Sequence, residues 1–395
     1  MAGAKRYTYR AYLGHFCRPP HRFGGVPLYF GGFFMALDMS ALLKLMVDKG
    51  ISDIHFKANA CPAVRVNGRL VSAVNIQKVT GPDIEAMAKS MMTPEQAGSF
   101  AAKNELDLAY TLAGVSRFRV NVFRQRGSVA LSLRVVPMKI RTFDELNLPM
   151  KAMEKLSEES RGLILFAGIT GAGKTTSMNS FVHFLNERKN HRIIMIEDPI
   201  EFFHEDIKAT IVQREVGRDT GSFAEALKHV LRQDPDVVVI GEMRDPETID
   251  AALTAAETGH LVLSTVHTLD AVQTIDRIVD NFPSRQAQQV RQQLSFVLKG
   301  VVAQRLVAAK DGKSRFPATE VLVVNSLVRR HITDAKNADI YKTMEAGHYY
   351  GMHTFDQDLI RLLQEGKIDE KEAVENATNT EDIALKIRSV GGAAV

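Results

Sequence analysis

The sequence has no tryptophan and only two cysteines, Cys17 and Cys61, among 395 residues. Two cysteines so far apart exclude a disulfide framework and any four-cysteine zinc site within one chain. They fit a reducing compartment. A charge excess is also missing: 50 basic against 46 acidic residues leave a formal net charge of +4. No strong field for nucleic acid or an anionic membrane follows from that balance. No uninterrupted apolar run approaches the roughly 18 residues of a membrane-spanning helix. There is no internal repeat and no low-complexity tract. What remains is ordinary globular composition, 45% hydrophobic and 24% charged, long enough for two or three domains.

Residues 1–34 stand apart. They hold five basic residues, no acidic ones and many aromatics, with scattered Gly and Pro. No periodic element can be drawn through them, and the compact apolar core of a secretory signal is absent. The expectation is a disordered or non-native extension, with Met35 or Met39 as the natural start. A basic aromatic arm is the competing reading.

From Met39 the pattern becomes regular. Residues 39–49 read as an amphipathic helix with Leu42, Leu43, Met46 and Val47 on one side. Alternation predicts strands over residues 51–59, 63–67, 106–111, 116–124 and 128–136, with Asn67-Gly68 as a hairpin turn. Residues 81–92 and 94–104 read as helices. Together these make a small α+β domain over residues 37–137, followed by a linker over 138–150.

After Arg161 strands and helices alternate. Apolar strands are expected at residues 163–167, 192–196, 237–240 and 261–266. Between them lies a helix at 222–232, opened by a capping-box pattern of Ser222 and Glu225. Alternation of this kind predicts an α/β domain, residues 151–324, with a mainly parallel sheet covered by helices. Residues 325–395 read as a polar helical subdomain.

Between the first apolar strand and a helical run through Met178, Phe181, Val182 and Leu185 stands GITGAGKTT, residues 168–176. Its spacing, Gly168, four residues, then Gly173-Lys174-Thr175, is that of a P-loop. Glycines let the backbone curl so that successive N–H groups point at phosphate oxygens, and the following helix adds its positive end. Lys174 is placed to reach the β- and γ-phosphates, and the Thr175 hydroxyl to bind Mg²⁺. The expected nucleotide-binding set is Gly168, Thr170, Gly171, Ala172, Gly173, Lys174, Thr175 and Thr176, with ATP and Mg²⁺ as ligands. A glycine-rich turn that binds nothing does not need strand, loop and helix in this register.

Glu197, Asp198 and Glu201 lie just past a predicted strand, at the edge where open parallel sheets bind ligands. Residues 234–242 repeat the arrangement on a second strand. That stretch is similar to a Walker B segment, but Gly241 stands where an Asp is usual, leaving Glu242 as the acid. His260 and His267 bracket a third strand. Seven residues apart, they fall on opposite faces of a regular strand, which makes them poor partners for one metal. His267, at the C-terminal end, could sense a γ-phosphate; His260, beside Gly259, could instead be structural. His183, His204 and His229 read as ordinary helix or loop histidines. Arg117, Arg119 and Asn121 alternate with Phe118, Val120 and Val122, and Arg134 lies outward on the next strand. Such a row suits an anion through forked donors; a solvated strand face is the ordinary alternative.

With these residues in place, the chain from Met39 onward resembles the type IV pilus retraction ATPases of the secretion ATPase superfamily. The resemblance rests on GITGAGKTT, IEDPIEF, DVVVIGEMRDPETI and TGHLVLSTVHT in that order, with QREVG and GMHTFDQDL added. It implies a hexameric ring built from an N-terminal PAS-like α+β domain and a RecA-like P-loop NTPase domain with C-terminal helices. It implies Glu201 as general base, Glu242 as support for Mg²⁺ and water, and catalytic parts for His267, Arg119 and Arg134. Arg124 and His260 are implied nucleotide contacts. The implied setting is cytoplasmic, at the inner face of the cytoplasmic membrane, with peripheral association only. Implied partners are an inner-membrane pilus platform protein and a paralogous pilus ATPase, and no nucleic acid. ATP hydrolysis would move the two domains about the linker and draw pilin subunits from the fibre.

One departure is visible. Retraction motors carry an AIRNLI-like segment, and here residues 327–332 read LVRRHI, keeping Arg329 and Ile332. An assembly or type II secretion ATPase is the nearest rival; many of those carry a cysteine-rich zinc element, and no cysteine follows Cys61. A RecA-type nucleic-acid motor would need a basic groove with aromatic stacking positions. A ring component without hydrolysis is opposed by Lys174, Glu201 and Glu242.

Overall fold

The computed structural model describes residues 39–66, 69–73, 78–136, 139–312 and 314–391. The expectations for residues 1–34 and for the turn at Asn67-Gly68 lie outside the described residues. The chain divides into two compact units, residues up to 138 and residues from 139.

The first unit opens with α1 (Met39–Asp48), which buries Leu42, Leu43 and Met46. Strands β1 (Ile51–Phe56), β2 (Ala63–Val66) and β3 (Arg69–Ser72) follow, then helices α2 (Gly81–Met91) and α3 (Pro94–Lys103). Strands β4 (Glu105–Leu112), β5 (Ser116–Gln125) and β6 (Ser128–Val136) complete it. The six strands form one antiparallel sheet in the order β3-β2-β1-β6-β5-β4. Thr80 with Asp83 and Thr93 with Gln96 close capping boxes at the starts of α2 and α3, each with Pro in the first turn. One sheet face is core: Ile54, Phe118, Val120, Val122, Leu131 and Leu133 are buried, with Ile84 of α2 against them. Each such side chain contributes about 1.5–3 kcal/mol by burial. The other face carries Arg119 and Arg134. Strand β3 has no counterpart in the sequence reading, because all four of its residues are exposed and no alternation marks it.

The second unit begins with α4 (Met150–Ser157), β7 (Gly162–Ala167), α5 (Lys174–Arg188), β8 (Arg192–Glu197), β9 (Thr210–Glu215) and α6 (Phe223–Val230). Next come β10 (Val237–Ile240), α7 (Pro246–Glu257), β11 (Leu261–Val266), α8 (Ala271–Asp280) and α9 (Ala287–Val297). Strands β12 (Leu298–Ala308) and β13 (Arg315–Val323) form a hairpin. Helices α10 (Ser326–Thr333), α11 (Asn337–Glu345), α12 (Phe355–Gln364), α13 (Glu370–Glu375) and α14 (Thr380–Gly391) follow.

The sheet order is β13-β12-β7-β11-β10-β8-β9, parallel except for the β12–β13 hairpin. Strands β7, β10 and β11 are buried at every residue, as parallel strands between helical layers are. Their near-continuous apolar runs are what made them legible. Strands β9, β12 and β13 escape the sequence reading because residues such as Gln213, Gln304 and Arg305, and in β13 Pro317 and Glu320, interrupt their apolar runs. At α6 the Ser222 hydroxyl accepts the Glu225 N–H (3.1 Å), the forward half of a capping box.

The C-terminal helices share the core of this sheet through Val328, Ile332, Met344, Phe355, Leu359 and Ile383. Phe143 is 2% exposed and stacks on Phe184 at 4.7 Å between ring centroids. Leu148 enters the same core. Residues from Phe143 onward are therefore packed into the second unit, so the stretch free to link is shorter than 138–150. Among the described residues no helix is long and apolar enough to cross a membrane.

Candidate nucleotide site

Strand β7 runs into the P-loop, and α5 starts at Lys174. Gly168 has φ +150°, and a Cβ there would lie 2.7 Å from the Gln304 carbonyl and 2.9 Å from the Ala172 Cβ, so only glycine fits. Gln304, buried on neighbouring β12, donates its side-chain amide to the Ala172 carbonyl. The Ala172 N–H donates to the Ile169 carbonyl at 3.1 Å, which tightens the turn. No side chain caps α5, which leaves its first N–H groups for an anion. The loop is thus a cradle whose curvature is held from below by β12.

A charged cluster faces this loop from the C-terminal ends of β10 and β11. The Lys174 ammonium donates to the Ile169 carbonyl at 3.1 Å and lies 3.5 Å from His267 Nδ1. Thr170 Oγ1 lies 3.4 Å from the same ring nitrogen. His267 Nε2 sits 3.0 Å from Glu242 Oε1, and Arg244 pairs with Glu242 Oε2 at 2.7 Å. Burial pushes the Glu242 carboxyl up, but Arg244 and His267 together outweigh it and hold it below the usual range. Burial pushes the Lys174 ammonium down, against the raising effect of Glu242 and Glu201. A desolvated ammonium of this kind gains most when an anion arrives. Gly241, in the place of the usual Asp, has a physical reason. A Cβ there would stand 3.3 Å from the Ile196 carbonyl, so β8 crowds the position.

The family described as type II/IV secretion system protein matches residues 36–390. The chain belongs to this family. It is 40% identical over 341 residues to the type IV pilus retractation ATPase PilT of Pseudomonas aeruginosa, covering 86% of this chain and 98% of that one. It is also 40% identical over 352 residues to the type IV pilus ATPase PilU of the same organism, covering 89% and 92%. A crystal structure of the pilus retraction motor PilT with bound ADP superposes with TM-score 0.82 at 41% identity, over 88% of this chain and 98% of that one. The chain is an ATPase of this secretion type, with the two-part α/β fold of that motor.

In this secretion-family chain Thr170, Lys174, Glu242 and His267 are brought together, and Thr175 follows Lys174 in the first turn of α5. Glu201 is exposed and close enough for its charge to act on Lys174. His260 lies elsewhere. Its Nδ1 stands 3.0 Å from the Ala255 carbonyl and 3.2 Å from Thr258 Oγ1, at the end of α7. The six residues of β11 separate it from His267, about 23 Å over seven steps at the usual rise. Its place in one chain is therefore that of a helix-end histidine and not of a P-loop contact.

Arg119 and Arg134 are direct cross-strand partners on the open face of the first sheet. Arg124 is not part of that row. It has the parity of Phe118, Val120 and Val122, and its guanidinium lies 5.6 Å from the Phe100 ring centre, on the other face. Asp53 is an unforeseen member of the row: it is 5% exposed, and Arg134 Nε donates to its Oδ1 at 2.7 Å.

Arg244 could have been found by its place two residues after Glu242. Gln304 leaves no local signal, since only the β12–β7 pairing puts it under the loop. A cavity of about 580 Å³ opens beside the cluster, touching Ile169, Thr170, His267 and Leu269. The Thr175 hydroxyl and Glu242 carboxylate are hard oxygen donors of the kind Mg²⁺ takes. Both Glu242 oxygens are engaged by Arg244 and His267, so its support for the ion would pass through water or follow release of one partner.

Proposed function

We propose that this chain is an ATP-hydrolysing motor that powers type IV pilus retraction, working as a homohexamer at the cytoplasmic face of the inner membrane. The observation that carries the reading is the convergence of Lys174, Glu242 and His267 at the P-loop, in a chain spanning nearly all of a pilus retraction ATPase. Its partners are a membrane platform protein of the pilus and a paralogous pilus ATPase.

The P-loop amides and the start of α5 bind the phosphates of ATP. Lys174 neutralises the β- and γ-phosphates. Mg²⁺, held by Thr175 with Glu242 behind it, would spread the charge that develops between those phosphates. Glu201 takes a proton from the attacking water. His267, in reach of Lys174, Thr170 and Glu242, reports phosphate occupancy to the acid. Arg119 and Arg134 stabilise the transferring phosphoryl group from the first unit of this or a neighbouring chain. Hydrolysis then changes which unit holds the nucleotide, and that difference in affinity drives a domain movement. A hinge for it would lie before Phe143, which is locked in the second core.

The test is pilus count and surface motility in a strain lacking the gene, complemented with wild type or Lys174→Ala. Abundant pili without motility, restored by wild type alone, are expected. Bald cells would mean that the motor extends pili. Normal pili and normal motility would mark an accessory paralogue, the reading favoured by the altered residues 327–332.

A further inference from the structure

The motif QREVG, residues 213–217, lies on and just after β9 and takes no part in the cluster around Lys174. Its first residue makes more specific contacts than an edge strand needs. Gln213 Oε1 accepts the His204 backbone N–H at 3.1 Å. Its Nε2 donates to the Phe202 carbonyl at 2.7 Å and to Glu197 Oε1 at 2.9 Å. Glu197 is 2% exposed and also accepts the backbone N–H of Glu201. Two residues along the motif, Glu215 accepts the Ile200 N–H at 3.3 Å.

The segment 200–204 is therefore held at Ile200, Glu201, Phe202 and His204, all by side chains of β8 and β9. The Glu201 side chain, between these ties, is exposed. A second set of bonds leads onward. His204 Nε2 lies 2.7 Å from Asn179 Oδ1, and Asn179 Nδ2 donates to the Thr175 carbonyl at 2.9 Å. Because the Asn179 amide nitrogen already donates to Thr175, its oxygen is the acceptor and the His204 Nε2–H the donor. Burial keeps His204 neutral, its pKa pushed down to about 3. Burying polar groups has a cost that these bonds offset, with His204 Nδ1 left without a partner, and a surface loop would not need this arrangement.

We propose that Gln213 and Glu197 are positioning residues that fix the backbone of residues 200–204 so that Glu201 stands at the attacking water. Asn179 and His204 tie that backbone to the P-loop helix at Thr175. Phosphate cradle and base then keep one distance as the nucleotide changes. The inference rests on the reading of Glu201 as the general base.

The experiment uses the full chain and four variants: Gln213→Met, Gln213→Glu, Glu201→Gln and the double variant Gln213→Met with Glu201→Gln. Gln213→Met keeps the shape and removes all three bonds. Gln213→Glu keeps an acceptor for the His204 N–H and loses the donor. Measured are kcat and KM for ATP, affinity for a fluorescent ADP analogue, and melting temperature. Gln213→Met should lower kcat about 10- to 100-fold, the scale of a misplacement near 1 Å. KM and ADP affinity should stay within about twofold, and nothing further should be lost in the double variant.

A wild-type kcat in Gln213→Met, with Glu201→Gln inactive, overturns the positioning role and leaves the base reading intact. A parallel loss of ADP affinity, or a full additional loss on top of Glu201→Gln, also overturns it, since both mark general disruption. An active Glu201→Gln overturns the base reading and the positioning role with it. If Gln213→Met melts below the assay temperature, the same kcat and affinity comparison is decided on Gln213→Glu.

Discussion

The two sheets gather their charged side chains in different places. In the first unit the charges run across the strands: Arg119, Arg134, Asp53 and Arg65 are successive cross-strand partners. In the second unit they collect where strands end, with Lys174 after β7, Glu242 and Arg244 after β10, and His267 after β11. Cover explains the difference. An antiparallel sheet with one face on its core leaves the other face open for charge, whereas a parallel sheet between helices offers only its ends. The local chemistry is nevertheless alike. In both places burial pushes a carboxyl up, and cations more than offset it. Arg134, with Ser52 and Arg65, lowers Asp53, and Arg244 with His267 lowers Glu242. Topology selects where a charge can stand, and its partners select the protonation state.

The strongest way to break the comparison is at the strand ends. Lys174→Ala should reduce phosphate release at least ~100-fold, the scale of a lost charge-stabilising group, without lowering the melting temperature. Persistent turnover would place the chemistry elsewhere. Glu242→Gln should lower kcat about 10- to 100-fold, and His267→Ala about tenfold. If His267→Ala were the more damaging of the two, the histidine and not the acid would be the main support of the reaction.

Glu320 on β13 sharpens the comparison, because it is a buried carboxyl without a dominant cation. Burial pushes it up to about 7, against acceptance of the Ala271 N–H and a weaker effect of Arg305. In the unfolded chain its pKa is about 4.5. Between those values the unfolded state gives up a proton that the folded state keeps, so stability falls as pH rises from about 4.5 to 7. The loss is on the order of 3 kcal/mol and is complete above that window. Glu320→Gln should therefore raise the melting temperature at pH near 8, gain little near pH 4, and leave kcat alone. An equal gain at both pH values would show that burial does not raise the carboxyl's pKa in the folded chain.

Asp53 has the opposite sign. Its folded pKa lies below the unfolded 3.8, so its contribution is present above that value and is lost as pH falls through the folded one. Asp53→Asn should cost about 1 kcal/mol at pH 7, limited by screening at the exposed Arg134, and progressively less as pH falls below 3.8. Denaturant melts at pH 7 and pH 3 compare the two. A constant difference would remove the ion pair from the account.

The parts of the fold that were legible are those whose local pattern is dictated by cover and turn chemistry. Strands β7, β10 and β11 are apolar at nearly every residue because both faces are buried. The P-loop is visible because Gly168 admits no Cβ and Lys174 must follow it at fixed spacing. The alternation of β5 set Phe118, Val120 and Val122 against Arg119 correctly, yet the same parity put Arg124 on the core side, where it lies over Phe100. Strand β3 was hidden by full exposure, and β12 by Gln304 and Arg305.

By itself the sequence determined a P-loop ATPase: strand, glycine loop, lysine, and carboxylates at the ends of apolar strands. Those features are local, so a few neighbouring residues suffice to specify them. Only the tertiary structure decided that His267 joins Lys174 while His260 does not. It also placed Gln304 beneath the loop, buried Asp53 beside Arg134, and made Gln213 a support for residues 200–204. Each of these depends on which strands lie side by side, and pairing between distant segments is set by the whole core and not by any short stretch.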